Sequence, residues 1–167
     1  MIDKFNSLFV TLGGIGKIKF APGTFASLFA AIVLFIFFHV FKIPNLIILI
    51  ILLIIFLYSF FAIKIYINKN DNKDPKEVVV DEFVGQSIPL YLYEISHNVT
   101  KELNEAFFYY IYIFILFRFF DIKKPFPINI LDKKFKNSFG VIADDVLAGL
   151  YTALTLIIFM IIKSKLL

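Results

Sequence analysis

The chain has 167 residues, 60% of them hydrophobic and 18% charged, with a mean hydropathy of +0.85. A soluble domain is nearer half apolar and a quarter charged, so this balance points to a membrane protein. No cysteine is present, which excludes disulfides, thiolate metal sites and a cysteine nucleophile. The formal net charge is +4, but the lysines sit between apolar runs, so the expected anionic partner is membrane lipid and not nucleic acid.

Near the N-terminus lies a glycine-rich segment, LGGIGKIKFAPGTFASL, spanning residues 12–28. It is not a nucleotide-binding P-loop, because Thr11 stands where the first glycine belongs and Ile18 where Ser or Thr is needed. Pro22-Gly23 reads as a turn and Thr24 as the N-cap of the first span, whose free N–H groups suit a phosphate oxygen. That span runs from Phe25 to Phe41, bounded by Pro44. It lacks a small-residue cleavage site, so it reads as a span and not as a cleaved signal.

A second apolar stretch covers Leu46 to Ile67, a third Ala106 to Phe120 and a fourth Val146 to Ile162. Each approaches the roughly 20 residues that a bilayer core requires. Phe83 to Ile95 is shorter and contains Gly85, Gln86, Ser87 and Pro89, so alone it reads as re-entrant or interfacial. Loop charge favours its crossing. With the N-terminus inside and five spans, 13 of the 17 lysines and arginines fall inside, and only Lys42, Lys101, Lys163 and Lys165 outside. The expected fold is therefore one all-α domain over residues 1–167, a polytopic helical bundle of four to five transmembrane helices. Asn68 to Lys76 and Ser96 to Glu105 read as solvated loops. Lys133, Lys134 and Lys136 read as ordinary inner-surface anchors.

In that topology three acidic segments reach the inner membrane surface. Asp81 and Glu82 open the fifth stretch, Asp121 ends the third span, and Asp144 and Asp145 open the last. Ionisable residues at membrane depth tend to be functional and to have partners. Plainer roles exist: the acids at helix starts suit capping, and Arg118, three residues before Asp121, could simply pair with it. Carboxylates gathered without a cation would repel one another. A site of oxygen ligands alone suits a hard ion, Mg²⁺ or Mn²⁺. Gly85 and Gly149 each follow an acid by four residues and would let their helices approach closely. Arg118, Lys123 and Lys124 around Asp121 add the cations that a phosphorylated headgroup would meet. His39 and His97 fall on the opposite side, where interfacial roles fit better than catalysis.

Four segments resemble the motifs of the phosphatidylglycerophosphatase A family: APGTFASL (21–28), VVDEFVGQ (79–86), FRFFDIKKPFPI (117–128) and FGVIADDVLAG (139–149). They stand in the family's order and span roughly Gly13 to Ile162. The resemblance implies a bacterial cytoplasmic-membrane enzyme that hydrolyses phosphatidylglycerophosphate to phosphatidylglycerol and phosphate with Mg²⁺. The implied acidic positions are Asp81, Glu82, Asp121, Asp132, Asp144 and Asp145; the basic and turn positions are Arg118, Lys124, Pro125, Pro22, Gly23 and Thr24. Ala26 and Ser138-Phe139-Gly140 depart from the expected glycine-richer pattern.

On this reading Asp81, Glu82, Asp144 and Asp145 offer metal ligands, and Asp121, Asp144 and Asp145 carry the chemistry. Arg118, Lys124, Thr24 and Gly23 would receive the phosphate. Attack by water and an aspartyl-phosphate intermediate both stay open. The rivals are a lipid phosphatase for another phosphomonoester, such as phosphatidic acid, and a cation or metabolite carrier. A carrier would place its acids near the bilayer midplane. Oligomeric state is not legible in the sequence.

Overall fold

A computed structural model describes residues 2–70, 75–96, 102–135 and 137–166, which fold as helices without a strand among them. In chain order they are α1 (Ile2–Val10), a 3₁₀ turn (Leu12–Lys17), α2 (Pro22–Phe35, continued by a π turn over Ile36–Val40), α3 (Asn45–Asn70), α4 (Val80–Ile95), α5 (Leu103–Lys123), α6 (Ile128–Lys134) and α7 (Ser138–Leu166). The molecule is an all-α membrane bundle. Pro22–Val40, Asn45–Lys69 and Ser138–Lys163 are each long and apolar enough to cross a bilayer. The tyrosines and Arg118 make α5 less apolar than these three, although its 21 residues are long enough to span. His97, Asn72, Lys73, Lys101, Lys136 and the Asp132 side chain lie outside the described residues.

The segment with the most ambiguous sequence forms the centre of the bundle. α4 is one continuous helix of 16 residues, Pro89 included, packed between α2 and α7. Its small and polar residues serve close packing. A side chain at Gly149 would meet the Gly85 carbonyl oxygen at 2.4 Å, and one at Gly85 would meet that of Asp145 at 2.6 Å. Only glycine lets α4 and α7 cross at that distance.

α2 and α4 run in the same direction. Gly23 faces Glu82 near their starts, and His39 meets Glu94 near their ends, Nε2 to Oε1, at 3.0 Å. α5 runs the other way, with Phe35 against Tyr110 and Ser27 against Arg118. α3 is also reversed, since the Tyr91 hydroxyl donates to the Asn45 carbonyl at 3.3 Å. All the acid-bearing motifs therefore gather at one end. At the other end, a core of Leu34, Ile48, Leu90, Ile113 and Leu156 ties five helices together.

Three details differ from expectation. The last helix begins at Ser138, eight residues before the apolar run at Val146. Its start is capped by Asn137, whose side-chain oxygen accepts the Gly140 N–H at 3.0 Å. Asp144 and Asp145 thus lie in its second turn, where the backbone N–H groups are already bonded, so capping is not their role. Thr24 is not an N-cap either. Proline at the first helical position fixes the start of α2 at Pro22, with Ala21 as N-cap in the left-handed region (φ 45°). His39 is not simply interfacial, since its side chain is largely buried and paired with Glu94.

Candidate active site

A cavity of about 300 Å³ opens at the acid-bearing end. Its walls bring together Asp81 and Glu82 from the first turn of α4, Asp144 and Asp145 from α7, and Arg118 and Asp121 from the end of α5. Lys124, Pro22 and Gly23 complete the rim. Every acid singled out in the sequence and described here lines this cavity. Of the phosphate-binding candidates, Arg118, Lys124 and Gly23 line it, whereas Thr24 is absent from its walls.

The acids divide into two kinds by their partners. Asp121 accepts from Arg118 Nη1 at 2.7 Å, the i,i+3 pair that the sequence allows. Asp144 Oδ2 lies 2.5 Å from Lys124 Nζ. Asp81, Glu82 and Asp145 form a separate trio whose carboxylate oxygens lie within 4.8 Å of one another. Asp81 Oδ1, Glu82 Oε2 and Asp145 Oδ1 are buried without a hydrogen-bond partner. Buried polar atoms ordinarily find partners, and a buried charge needs a counterion. Three hard oxygens aimed together, with neither sulfur nor imidazole, are a donor set that fits a divalent cation such as Mg²⁺ or Mn²⁺.

The local backbone explains why these side chains converge. A Cβ at Gly23 would lie 2.0 Å from Glu82 Oε1, so glycine at the second position of α2 leaves room for the Glu82 carboxylate. Lys124 ends α5 in the left-handed region (φ 42°), its N–H bonded to the Phe120 carbonyl at 2.9 Å. That turn directs the lysine back over the cavity toward α7. Left-handed backbone at a non-glycine residue is costly and is often found at functional sites.

Two contributors escaped the sequence reading. Ser27, fully buried, accepts from Arg118 Nη1 at 3.2 Å and donates to the Gly23 carbonyl at 2.8 Å, so it sets the reach of the guanidinium. Its position four residues after Gly23, one helical turn deeper, was the available signal. Lys76 borders the cavity from the loop before α4; in the sequence it is one more loop lysine.

An all-helical membrane protein with acids and cations around one end cavity has the makings of an enzyme acting on a phosphorylated lipid. Comparison with known proteins makes this specific. The family model for phosphatidylglycerophosphatase A matches residues 8–160. A phosphatidylglycerophosphatase A from Haemophilus influenzae is 34% identical over 141 residues, covering 84% of this chain and 80% of its own. A Bacteroides thetaiotaomicron protein provisionally named a phosphatidylinositol-3-phosphatase is 36% identical over 142 residues, 83% of each chain. No solved structure matches. The chain belongs to the phosphatidylglycerophosphatase A family and is a membrane lipid phosphatase.

Proposed function

We propose that this chain hydrolyses phosphatidylglycerophosphate to phosphatidylglycerol and phosphate at the cytoplasmic face of a bacterial inner membrane. The observation that carries the reading is one cavity in which a carboxylate trio, each member with a buried oxygen lacking a hydrogen-bond partner, lies beside Arg118 and Lys124. It supports phosphate chemistry, because the trio can hold a cation while the two basic residues neutralise phosphate oxygens. The cavity's ionisable groups lie at one end of the bundle and not at its middle, which disfavours a carrier.

Asp81, Glu82 and Asp145 would hold Mg²⁺, or Mn²⁺ in its place. The ion would neutralise phosphate charge and make its bound water more acidic. Asp144 holds Lys124 and so positions that ammonium beside the trio. Arg118, braced by Ser27 and Asp121, would contact the phosphate oxygens. In hydrolysis the P–O bond to the glycerol breaks, water supplies the new oxygen on phosphorus, and a proton passes to the departing glycerol oxygen. Asp121 is the carboxylate outside the trio and the Lys124 pair, and it would take the proton from the attacking water. The test is phosphate release by purified protein, with Mg²⁺ and with excess chelator. Metal-dependent release from phosphatidylglycerophosphate is the expected result; none from any lipid phosphomonoester would overturn the reading. The Bacteroides relative's name favours phosphatidylinositol 3-phosphate as the second substrate to assay, with phosphatidic acid as a third. Preferential release from either would reassign the headgroup.

The alternating directions of α2, α3, α4, α5 and α7 support five crossings. With the lysine-rich ends inside, as the loop charge favours, the cavity and the connection from α3 to α4 would face the cytoplasm. The chain has no native cysteine, so Asn72→Cys introduces a single thiol. A membrane-impermeant maleimide should label it in inverted vesicles and not in intact cells. Labelling from outside would reverse the orientation.

A further inference from the structure

We propose that the groove between α3, α4 and α7 seats one acyl chain of the lipid substrate, so that this groove sets chain-length preference. The inference rests on the phospholipid reading above. The groove encloses about 400 Å³. Its walls are stripes at helical spacing: Leu52 and Phe56 of α3, Val84 and Ile88 of α4, and Val146 and Leu150 of α7. Two hydroxyl-bearing residues stand in the wall, and both hydroxyls are spent on backbone: Ser87 donates to the Phe83 carbonyl at 2.7 Å and Tyr91 to the Asn45 carbonyl at 3.3 Å, so the wall is effectively apolar.

Position, depth and shape name the occupant. Val146 follows Asp145 directly and Val84 lies two residues after Glu82, so one end of the groove lies at the depth of the acid-lined cavity. From Val84 to Leu92 the α4 wall advances eight residues, about 12 Å of helix. That is most of one leaflet, since half a hydrocarbon core is about 15 Å. A chain attached to a headgroup held at the cavity would descend along this line. A length of about 12 Å of partner helix, about 10 Å across, would fill roughly 900 Å³, more than the groove encloses. A smaller apolar groove of about 170 Å³ lies between α2 and α5 and serves as the comparison.

The experiment compares kcat/KM for long-chain and dihexanoyl phosphatidylglycerophosphate. Leu53→Trp narrows the proposed groove from its α3 side, and Ile111→Trp adds the same bulk to the comparison groove. Leu53→Trp should shift the long-to-short ratio about tenfold toward the short substrate, and Ile111→Trp should leave the ratio as in wild type. An unchanged ratio in Leu53→Trp, or a shift confined to Ile111→Trp, would overturn the assignment. A second measurement is independent of turnover and of variant folding. Wild-type protein is irradiated with an anionic phospholipid carrying a diazirine midway along one chain, and the adducts are mapped. Adducts concentrated on the α3, α4 and α7 walls support the groove; even labelling of all lipid-facing helices refutes it. If wild type hydrolyses neither chain length, the enzymatic reading fails, and the adduct map still decides the groove.

Discussion

Asp145→Asn should abolish phosphate release while making the metal-free protein more stable. The two effects share one cause. Asp145 contributes one of three carboxylates whose oxygens lie within 4.8 Å of each other, and its Oδ1 is buried without a partner. At that range two like charges repel by about 3 kcal/mol for an effective dielectric near 20. Asparagine keeps the shape and cannot carry that charge, so at a pH high enough to ionise the trio, relieving even a third of one such pair raises the thermal midpoint by about 2–4 °C in a chain of this size. The same change removes a ligand from the cation site and should lower the rate by at least about 10²-fold. Mg²⁺ or Mn²⁺ should stabilise wild type by an amount that grows with concentration and should stabilise Asp145→Asn much less. Asp144→Asn should behave oppositely in the absence of metal. It strips Lys124 of its carboxylate and leaves a half-buried ammonium without that partner, so the midpoint should fall. Melting curves of the two variants, with and without metal, make the check. A metal-free Asp145→Asn protein less stable than wild type would mean that the trio is held by hydrogen bonding and not poised for a cation.

That contrast marks how far the sequence could be read. The acids could be assigned to one surface because hydropathy placed each near a span end and the lysine bias put those ends on the same side. The cavity confirms that convergence. The division of labour was not legible. Asp144 and Asp145 are adjacent, yet successive helical positions point about 100° apart, so one meets Lys124 and the other joins the trio. Which does which depends on how α7 is rotated against α4. The start of α7 was hidden for a related reason. Its first two turns are interrupted by Ser138, Gly140, Asp144 and Asp145, so an unbroken apolar window begins only at Val146 although the hydrogen-bonded helix begins at Ser138. Thr24 looked like a cap because its residue type fits, but Pro22 had already fixed the helix start. Local composition was least informative in the middle segment, where only loop charge favoured a crossing. Gly85, Gln86, Ser87 and Pro89 read as interfacial when the alternative was a helix facing lipid, whereas α4 faces other helices on nearly every side. Buried among partners, small residues are an asset.

The larger structural prediction concerns that contact. Gly85→Ala and Gly149→Ala should each lower both the thermal midpoint and the activity, although alanine is the better helix former by about 1 kcal/mol. The new methyl of Gly85→Ala would meet the Asp145 carbonyl oxygen at 2.6 Å and carbon at 2.9 Å; that of Gly149→Ala would meet the Gly85 oxygen at 2.4 Å. The nearest obstacles are backbone, so no side chain can swing aside and the helices must separate. Overpacking of this kind costs about 1–3 kcal/mol, which exceeds the propensity gain over most of its range. The activity loss should be the larger effect. Asp81 and Glu82 stand one turn before Gly85 on α4, and Asp145 stands one turn before Gly149 on α7, so the glycine contact fixes the distance between the two sides of the trio. A displacement near 1 Å can cost about 10²-fold in rate. Because both substitutions push the same two helices apart, the double variant should lose less than the sum of the singles. Rates and melting midpoints for the two singles and the double give the answer. Additive losses would mean that the two glycines act through separate contacts, and undiminished activity would mean that the trio does not depend on the spacing of α4 and α7.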